Sequence, residues 1–462
     1  MATQDFIVST NPARGYEEIG RVTVTNPAQI AEAVTNSKEA LKSWRNTSVV
    51  ERAQFLLRFR ENLKSELENI AKLQSTEMGK PLNESRGEVK AILGWLKWHT
   101  SEAPRILAPR ELDIDGKEGT KLFFEPYGVA ASIAPWNFPT YQFVLNSAQL
   151  LLAGNTVILK HSEECPLTAQ LLTSLMDRAG FPPGVFQCIY GAGETGRELL
   201  SQDVQLVSFT GSTRAGREIY QTASKKFIPA ILEMGGSSPG IVFDDVDIAT
   251  VCGSVFAERF SNAGQVCCAL KRLIVQRSIL DKVLAGISEE IQKQVVGDPL
   301  DERTTIGPLS AKRQLEVLND QVSGAVAEGA RVIIGGKPIT KLNGAYFEPT
   351  LMTNITPRSR IWREEVFGPV LPVIAFDDES EAIKLANDTE YGLSAFVYSK
   401  DSARASRVAA QLQAGQVSIN GCSYFSNHAP FGGYKLSGLG RADGELGYYS
   451  ISQAKVVAAP LG

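Results

Sequence analysis

"LVSFTGSTRAGREIY", residues 206–220, is the stretch whose reading decides the fold. The apolar run up to Phe209 predicts a strand, Gly211 and Ser212 a turn, and a helix opens near Ala215. A strand that runs straight into a helix is half of a βαβ unit. It sets backbone N–H groups and the positive end of a helix dipole at the strand's carboxyl end, where a phosphate is well accommodated. The turn is not G-x-G-x-x-G, so this segment alone fits an ordinary tight βα turn equally well.

The surrounding chain repeats the pattern. "GVAASIAPW", "TVILK", "VFQCIYG" and "GIVFDD" are short apolar, β-rich runs, and helical stretches such as "CPLTAQLLTSLMDRAG" lie between them. Alternation of this kind predicts a parallel sheet covered by helices. A second set, "RLIVQ", "ARVIIGG", "VLPVIAF", "SAFVYS" and "QVSIN", follows residue 267. Two α/β layers predict two domains with a cleft between them. The first hundred residues read as helices. One is capped by Asn26 with Pro27 at its first position, a second covers Val50–Met78, and a third runs from Glu84 to Ser101.

Bulk composition narrows the function. The 462 residues carry 47 basic and 51 acidic side chains, a net charge of −4, with no block of like charge. That gives no case for nucleic acid or an anionic membrane as partner. The N-terminus lacks a basic-then-apolar leader, and no apolar run reaches the ~18 residues of a membrane span, so a cytoplasmic protein is expected. Six cysteines without a CxxC predict free thiols rather than a disulfide framework. Only three histidines are present, so acid–base work is expected of carboxylates or cysteines, and no metal site is expected.

Three further segments carry candidate chemistry. In "NTVILKHSEE" a strand ends at Lys160 with Glu163 three residues on, which suits ribose hydroxyls or, equally, a solvated loop. In "AILEMGGSSPGIVF" Glu233 precedes Gly235-Gly236. Apolar neighbours would raise its pKa toward that of a general base, although a solvated acid at a turn fits as well. In "FSNAGQVCCAL" Gly264 permits a tight turn ahead of Cys267 and Cys268. A thiolate there needs a local donor or positive dipole, because free cysteine has a pKa of about 8.5.

Taken together, these residues resemble the aldehyde dehydrogenase superfamily over nearly the whole chain. "APWNFP" (134–139), "FTGSTRAG", "LEMGG", "AGQVC", "EEVFGPV" (364–370) and "PFGGYKLSGLGR" (430–441) are similar to six of its motifs, in the family's order. The resemblance implies that Cys267 is the nucleophile, with Asn137 and the Cys267 N–H as oxyanion donors and Glu233 as the base that activates the hydrolytic water. It implies NAD as cofactor, with NADP possible. Lys160 and Glu163 would hold the adenosine ribose, Gly211 and Ser212 would face the pyrophosphate, Gly216 would also belong to the cofactor site, and Glu365, Phe367 and Trp136 would flank the nicotinamide end. Phe138, Leu145, Val266, Cys268, Phe425 and Phe431 would line the substrate pocket. The chain departs from the common pattern at Ser237 and Asn146, where lysines are frequent, and the second departure leaves the proton route from Glu233 open.

The fold implied is α/β: a Rossmann-like NAD-binding domain (1–107 and 127–235) and an α/β catalytic domain (236–436). A β-hairpin (108–126) would join a C-terminal strand (452–461) in an oligomerisation element. "TKLFFEPYG" and "SQAKVVAAP" agree with it, being short β-rich edges that a monomer would leave exposed, so a homodimer or homotetramer is expected. The activity implied is oxidation of an aldehyde to an acid through a cysteine thiohemiacetal and thioester. A CoA-acylating enzyme is disfavoured by the retained Glu233. A thiol hydrolase normally pairs cysteine with histidine, and a catalytically silent relative would have lost Cys267, Asn137 or Glu233. The wording also resembles short succinate-semialdehyde dehydrogenases, which usually place an arginine eight residues after the asparagine. Leu145 stands there, and "FPTYQFVL" and "NGCSYFSNHAPF" hold no Lys or Arg. An uncharged aliphatic or aromatic aldehyde is therefore expected, with succinate semialdehyde the alternative.

Overall fold

The computed structural model describes residues 5–113 and 118–460. The expected hairpin tip at 114–117 and the end of the C-terminal element at 461 lie outside the described residues, as do residues 1–4.

The decisive stretch folds as a strand, Leu206–Thr210, followed by a helix, Thr213–Lys226. The helix opens two residues earlier than expected, because the Ser212 hydroxyl accepts the Ala215 N–H (3.3 Å) and caps it there. The strand belongs to a six-stranded sheet in the order Gly438–Leu439, Ala230–Glu233, Leu206–Thr210, Val129–Ile133, Thr156–Lys160, Phe186–Ile189. All neighbours are parallel except the first pair. The interior strands are buried on both faces, as parallel sheets require.

A seven-stranded sheet forms the other layer. Its order is Arg331–Ile334, Thr350–Thr353, Val370–Phe376, Leu270–Gln276, Ser238–Val242, Ser394–Tyr398, Gln416–Ile419, parallel except at the Arg331–Ile334 edge. The chain leaves the first sheet at Glu233 and enters the second at Ser238, then returns to the first at Gly438. The seven-stranded sheet has an apolar core around Ile274, Trp362 and Phe396, and the six-stranded sheet has two, around Trp44, Phe59, Trp95 and Phe143 and around Ile30, Val129, Ile158 and Phe209.

Two expectations for the first hundred residues need correction. The helix expected over Val50–Met78 is two, Val49–Ser65 and Leu67–Met78, because Glu66 leaves helical geometry (φ −105°, ψ 11°). The Ser48 hydroxyl and Glu51 form a reciprocal capping box that starts the first of them. Ahead of the helices lies an antiparallel hairpin, Phe6–Asn11 with Glu17–Thr23. Its alternating "FIVSTN" reverses through Gly15 (φ +62°). The third helix runs on to Ile106, with Pro104 in its last turn.

Ser452–Pro460 pairs antiparallel with Glu118–Pro126, which pairs with Arg110–Asp113. All of Ser452–Pro460 except Ser452 itself is exposed, Val456 and Val457 included. Among the described residues no helix is long and apolar enough to cross a membrane.

Candidate active site

The two sheets meet where the chain crosses between them, and the candidate residues gather there. Three consecutive residues ahead of the cysteines, Asn262, Ala263 and Gly264, have left-handed backbone (φ 49°, 52° and 73°). Strain of this kind persists only where the surroundings over-determine it. Here Arg259, fully buried, donates from its guanidinium to the carbonyls of Val370 (2.8 Å), Val366 (3.0 Å), Gly264 (3.4 Å) and Gly368. A Cβ on Gly264 would stand 2.3 Å from Gly368 O, so only glycine fits.

Asn137 lies in the turn after the Val129–Ile133 strand and is buried. Its amide Nδ2 donates to Gln265 O (3.0 Å), and its own carbonyl accepts Asn262 Nδ2 (2.8 Å). The side-chain amide is thereby fixed against the cysteine loop, and its second N–H hydrogen has no partner among the described residues.

Cys267 is half-buried and Cys268 buried. The two thiols share a hydrogen bond, which, with burial, pushes Cys267 up. The Cys267 thiol and the Tyr424 hydroxyl together hold Cys268 below its usual value. The Lys271 ammonium favours the thiolate of either cysteine.

Glu233 ends its strand, and its carboxylate is buried with neither oxygen hydrogen-bonded among the described residues. The nearby Ala442 N–H donates instead to Phe431 O (2.8 Å). Burial, followed by the neighbouring Cys267, pushes the Glu233 carboxyl well above its usual range, and Arg441 pulls the other way.

Of the expected cofactor residues, Glu365 lies at the same crossing. Glu365 accepts the Gly236 N–H (3.0 Å) and an ammonium bond from Lys271. A Cβ on Gly235 would fall 2.1 Å from Glu365 Oε2. Phe367 meets the Trp136 ring edge-on, centroids 5.7 Å apart. Lys160 pairs with Glu163 (2.9 Å) at the end of its strand. Burial alone would raise the Glu163 carboxyl, but Lys160 brings it below its usual range. Gly211 donates its N–H to Glu233 O (3.0 Å), and Ser212 caps the Thr213–Lys226 helix, whose first-turn N–H groups have no intrahelical acceptor. At Gly216 the missing Cβ makes room for Met234 Sδ, at 2.2 Å.

Of the pocket residues, Phe425 stacks on Phe431 (6.0 Å, 15°) and is exposed, while Phe138 lies under the Lys80 ammonium (3.7 Å). Leu145 lines a cavity together with Glu233. His428 accepts the Trp98 indole N–H (3.1 Å), so it is turned toward that ring. Three residues escaped the sequence reading. Lys271 donates to the carbonyls of Gly236 (2.8 Å) and Cys267 (3.1 Å) as well as to Glu365, tying the crossing strand to the cysteine loop. Arg259 anchors the left-handed turn. Tyr141 is a partly buried phenol whose pKa is raised by burial and then by the charges of Asp443 and the two cysteines. The signal for Lys271 was a cation inside an apolar strand, "ALKRLIV".

The sequence profile of the aldehyde dehydrogenase family matches residues 1–457. The chain belongs to the aldehyde dehydrogenase family. It is 36% identical to an NADP-dependent succinate-semialdehyde dehydrogenase of Escherichia coli K12, over 98% of this chain and 94% of that one. It is 37% identical to a glutarate-semialdehyde dehydrogenase of Pseudomonas aeruginosa, over 96% of this chain and 92% of that one. A crystal structure of betaine aldehyde dehydrogenase from Staphylococcus aureus in complex with NAD+ superposes with a TM-score of 0.95 at 34% identity, covering 99% of this chain and 92% of that one. This family member thus has relatives whose names span acidic and cationic aldehydes.

Proposed function

We propose that this chain oxidises an aldehyde to the carboxylic acid with NAD(P), Cys267 serving as nucleophile and Glu233 as base. The observation that carries the reading is the buried Glu233 carboxyl, free of hydrogen-bond partners among the described residues and raised in pKa by burial and by Cys267.

The residues fit the dinucleotide. Ser212 offers a capped helix N-terminus to the pyrophosphate, Lys160 and Glu163 sit at a strand's carboxyl end for the ribose, and Glu365 waits beside Gly235, where a side chain would clash. When bound, the nicotinamide supplies the hydride acceptor. The Glu163 carboxylate favours NAD, because it accepts a ribose hydroxyl and repels a 2′-phosphate.

The Cys267 thiolate attacks the aldehyde carbon, forming a C–S bond. The oxygen becomes an oxyanion, held by the spare Asn137 Nδ2–H and the Cys267 N–H. Loss of hydride from that carbon leaves a thioester on Cys267. Glu233 takes a proton from water, the oxygen bonds to the acyl carbon, and the thiolate leaves.

The substrate we propose is an uncharged aliphatic or aromatic aldehyde. Leu145 stands where an arginine would pair a carboxylate, and His428 already accepts from Trp98. An unpaired buried carboxylate costs several kcal/mol. The second reading, succinate semialdehyde, is favoured by the names of the relatives. Hexanal, benzaldehyde and succinate semialdehyde compared at saturating NAD decide between them. A far higher kcat/KM for succinate semialdehyde would overturn the first reading, and no NADH from any aldehyde would overturn the function.

A further inference from the structure

We propose that Glu84 is a positioning residue, which aligns the oxyanion donor Asn137 with the Cys267 loop from a helix anchored beside both. The inference rests on the proposed reading of Asn137 as that donor. Asn137 follows the Val129–Ile133 strand of the six-stranded sheet. The left-handed turn it meets, Asn262–Gly264, comes ahead of the Leu270–Gln276 strand of the seven-stranded sheet. Neither sheet contains both segments, so their alignment depends on contacts outside the two ladders.

Glu84 and Glu88 lie four residues apart on the Leu82–Ile106 helix, which puts both carboxylates on one face. Glu84 takes the cysteine side. Its Oε2 accepts the Asn262 N–H (2.8 Å) and the Ser261 hydroxyl (3.2 Å). Asn262 is the first of the three left-handed residues (φ 49°), and a charge-assisted bond to its N–H holds the strained turn in place. Asn262 passes the constraint on. Its Nδ2 donates to Asn137 O (2.8 Å) and to Gln265 O (3.3 Å), the carbonyl that also accepts Asn137 Nδ2 (3.0 Å). A shift of Asn262 therefore turns the Asn137 amide.

Glu88 fixes the same helix to the asparagine side. The Pro139–Leu152 helix begins two residues after Asn137, and its N-cap, Phe138, has no side-chain acceptor. The first-turn Tyr141 N–H donates to Glu88 Oε1 instead (2.9 Å). Glu88 Oε2 accepts Gln74 Nε2 (3.1 Å), and Gln74 Oε1 accepts the Thr140 hydroxyl (2.6 Å). A buried carboxylate needs a counter-charge. Lys80 supplies it from full burial, and its ammonium also lies 3.7 Å over the Phe138 ring. With residues 138, 140 and 141 held in this way, Glu84 acts from a fixed base.

The test is a double-mutant cycle on single-turnover NADH formation, with NAD and hexanal or whichever aldehyde the panel selects. Asn137→Ala should slow that step about 10²–10³-fold, the cost of one oxyanion donor. Glu84→Ala should slow it about tenfold or more by misalignment, with the affinity for NAD unchanged. Glu84→Gln keeps an oxygen for the Asn262 N–H and should recover most of the rate. In the Asn137→Ala background, Glu84→Ala should change the rate by less than about twofold, because the group it aligns is gone. A wild-type rate in Glu84→Ala overturns the proposal. Losses that multiply in the double variant overturn it too, because a merely structural role gives that pattern. If Glu84→Ala does not fold, Asn262→Ala, which removes the donor to Asn137 O, takes its place in the cycle with the same two outcomes. If Asn137→Ala itself keeps the wild-type rate, the oxyanion reading fails instead, so the two failures are distinguishable.

Discussion

Glu233→Gln separates the chemistry of the carboxylate from its cost to the fold. The wild-type carboxyl is buried with both oxygens unpartnered, and its pKa stands well above the ordinary 4.5. A carboxyl that holds its proton more tightly folded than unfolded stabilises the fold most at low pH. That contribution is lost as pH rises from about 4.5 to the raised folded value, because over that interval the native state binds more protons than the unfolded state. Above it the fold carries an unpaired buried anion. An unsatisfied buried polar group costs about 1–3 kcal/mol, and a charged one more. Glutamine has the same size without the charge, so the variant should gain at least about 1 kcal/mol over wild type at pH 9 and little at pH 5. For a chain of 462 residues the shift is about 1 °C per kcal/mol, so the rise in Tm at pH 9 is about a degree or more. Thermal unfolding at both pH values measures this. Stopped flow on the same samples should show a preserved NADH burst with collapsed turnover. A stability difference that does not change between pH 5 and pH 9 refutes the burial argument, and unchanged turnover refutes the role as base.

Cys267→Ala should abolish NADH formation while NAD binding, followed by nucleotide fluorescence quenching, persists; Cys268→Ala should retain most activity, and the reverse pattern would reassign the nucleophile. Glu163→Ser should raise kcat/KM with NADP relative to NAD about tenfold or more by removing a like charge from the 2′ position, and a wild type that already prefers NADP contradicts that reading. Val456→Lys, in the exposed Ser452–Pro460 strand, should lower the oligomeric state measured by light scattering if that edge is an interface; an unchanged molar mass removes the strand from the assembly.

The strand–helix alternation was legible because parallel strands buried on both faces write themselves as apolar runs. The Leu206–Thr210, Thr156–Lys160 and Val370–Phe376 strands all read that way. Cys267, Glu233 and Asn137 were legible only through the resemblance of their motifs. Their own neighbourhoods left a bland alternative open each time. What stayed hidden depends on contacts distant in sequence. Arg259 and the Gly368 carbonyl are 109 residues apart, and Lys271 and Glu365 are 94 apart. No local spacing reports such a bond. The break at Glu66 was hidden for a different reason: the apolar spacing continues through it, and only backbone geometry separates the two helices.

The placement of Cys267, the proposed nucleophile, follows from how the chain crosses between its sheets. Glu233 is the last residue of one sheet and Ser238 the first of the other, so residues 234–237 bridge the cores. A Cβ on Gly236 would come within 2.9 Å of Cys267 O, so the bridge can lie directly on the cysteine loop only where it lacks side chains. Lys271 then grips both, through Gly236 O and Cys267 O, and extends the grip to Glu365. One buried cation thereby ties together the bridge that follows Glu233, the Cys267 loop and Glu365. The Gly438–Leu439 strand closes the arrangement from behind by pairing with Leu232 and Glu233, which stops the base's strand from drifting away from the cysteine. Because the base and nucleophile belong to different sheets, any slip between the two layers changes their separation directly. The glycine bridge and the lysine grip are what oppose that slip.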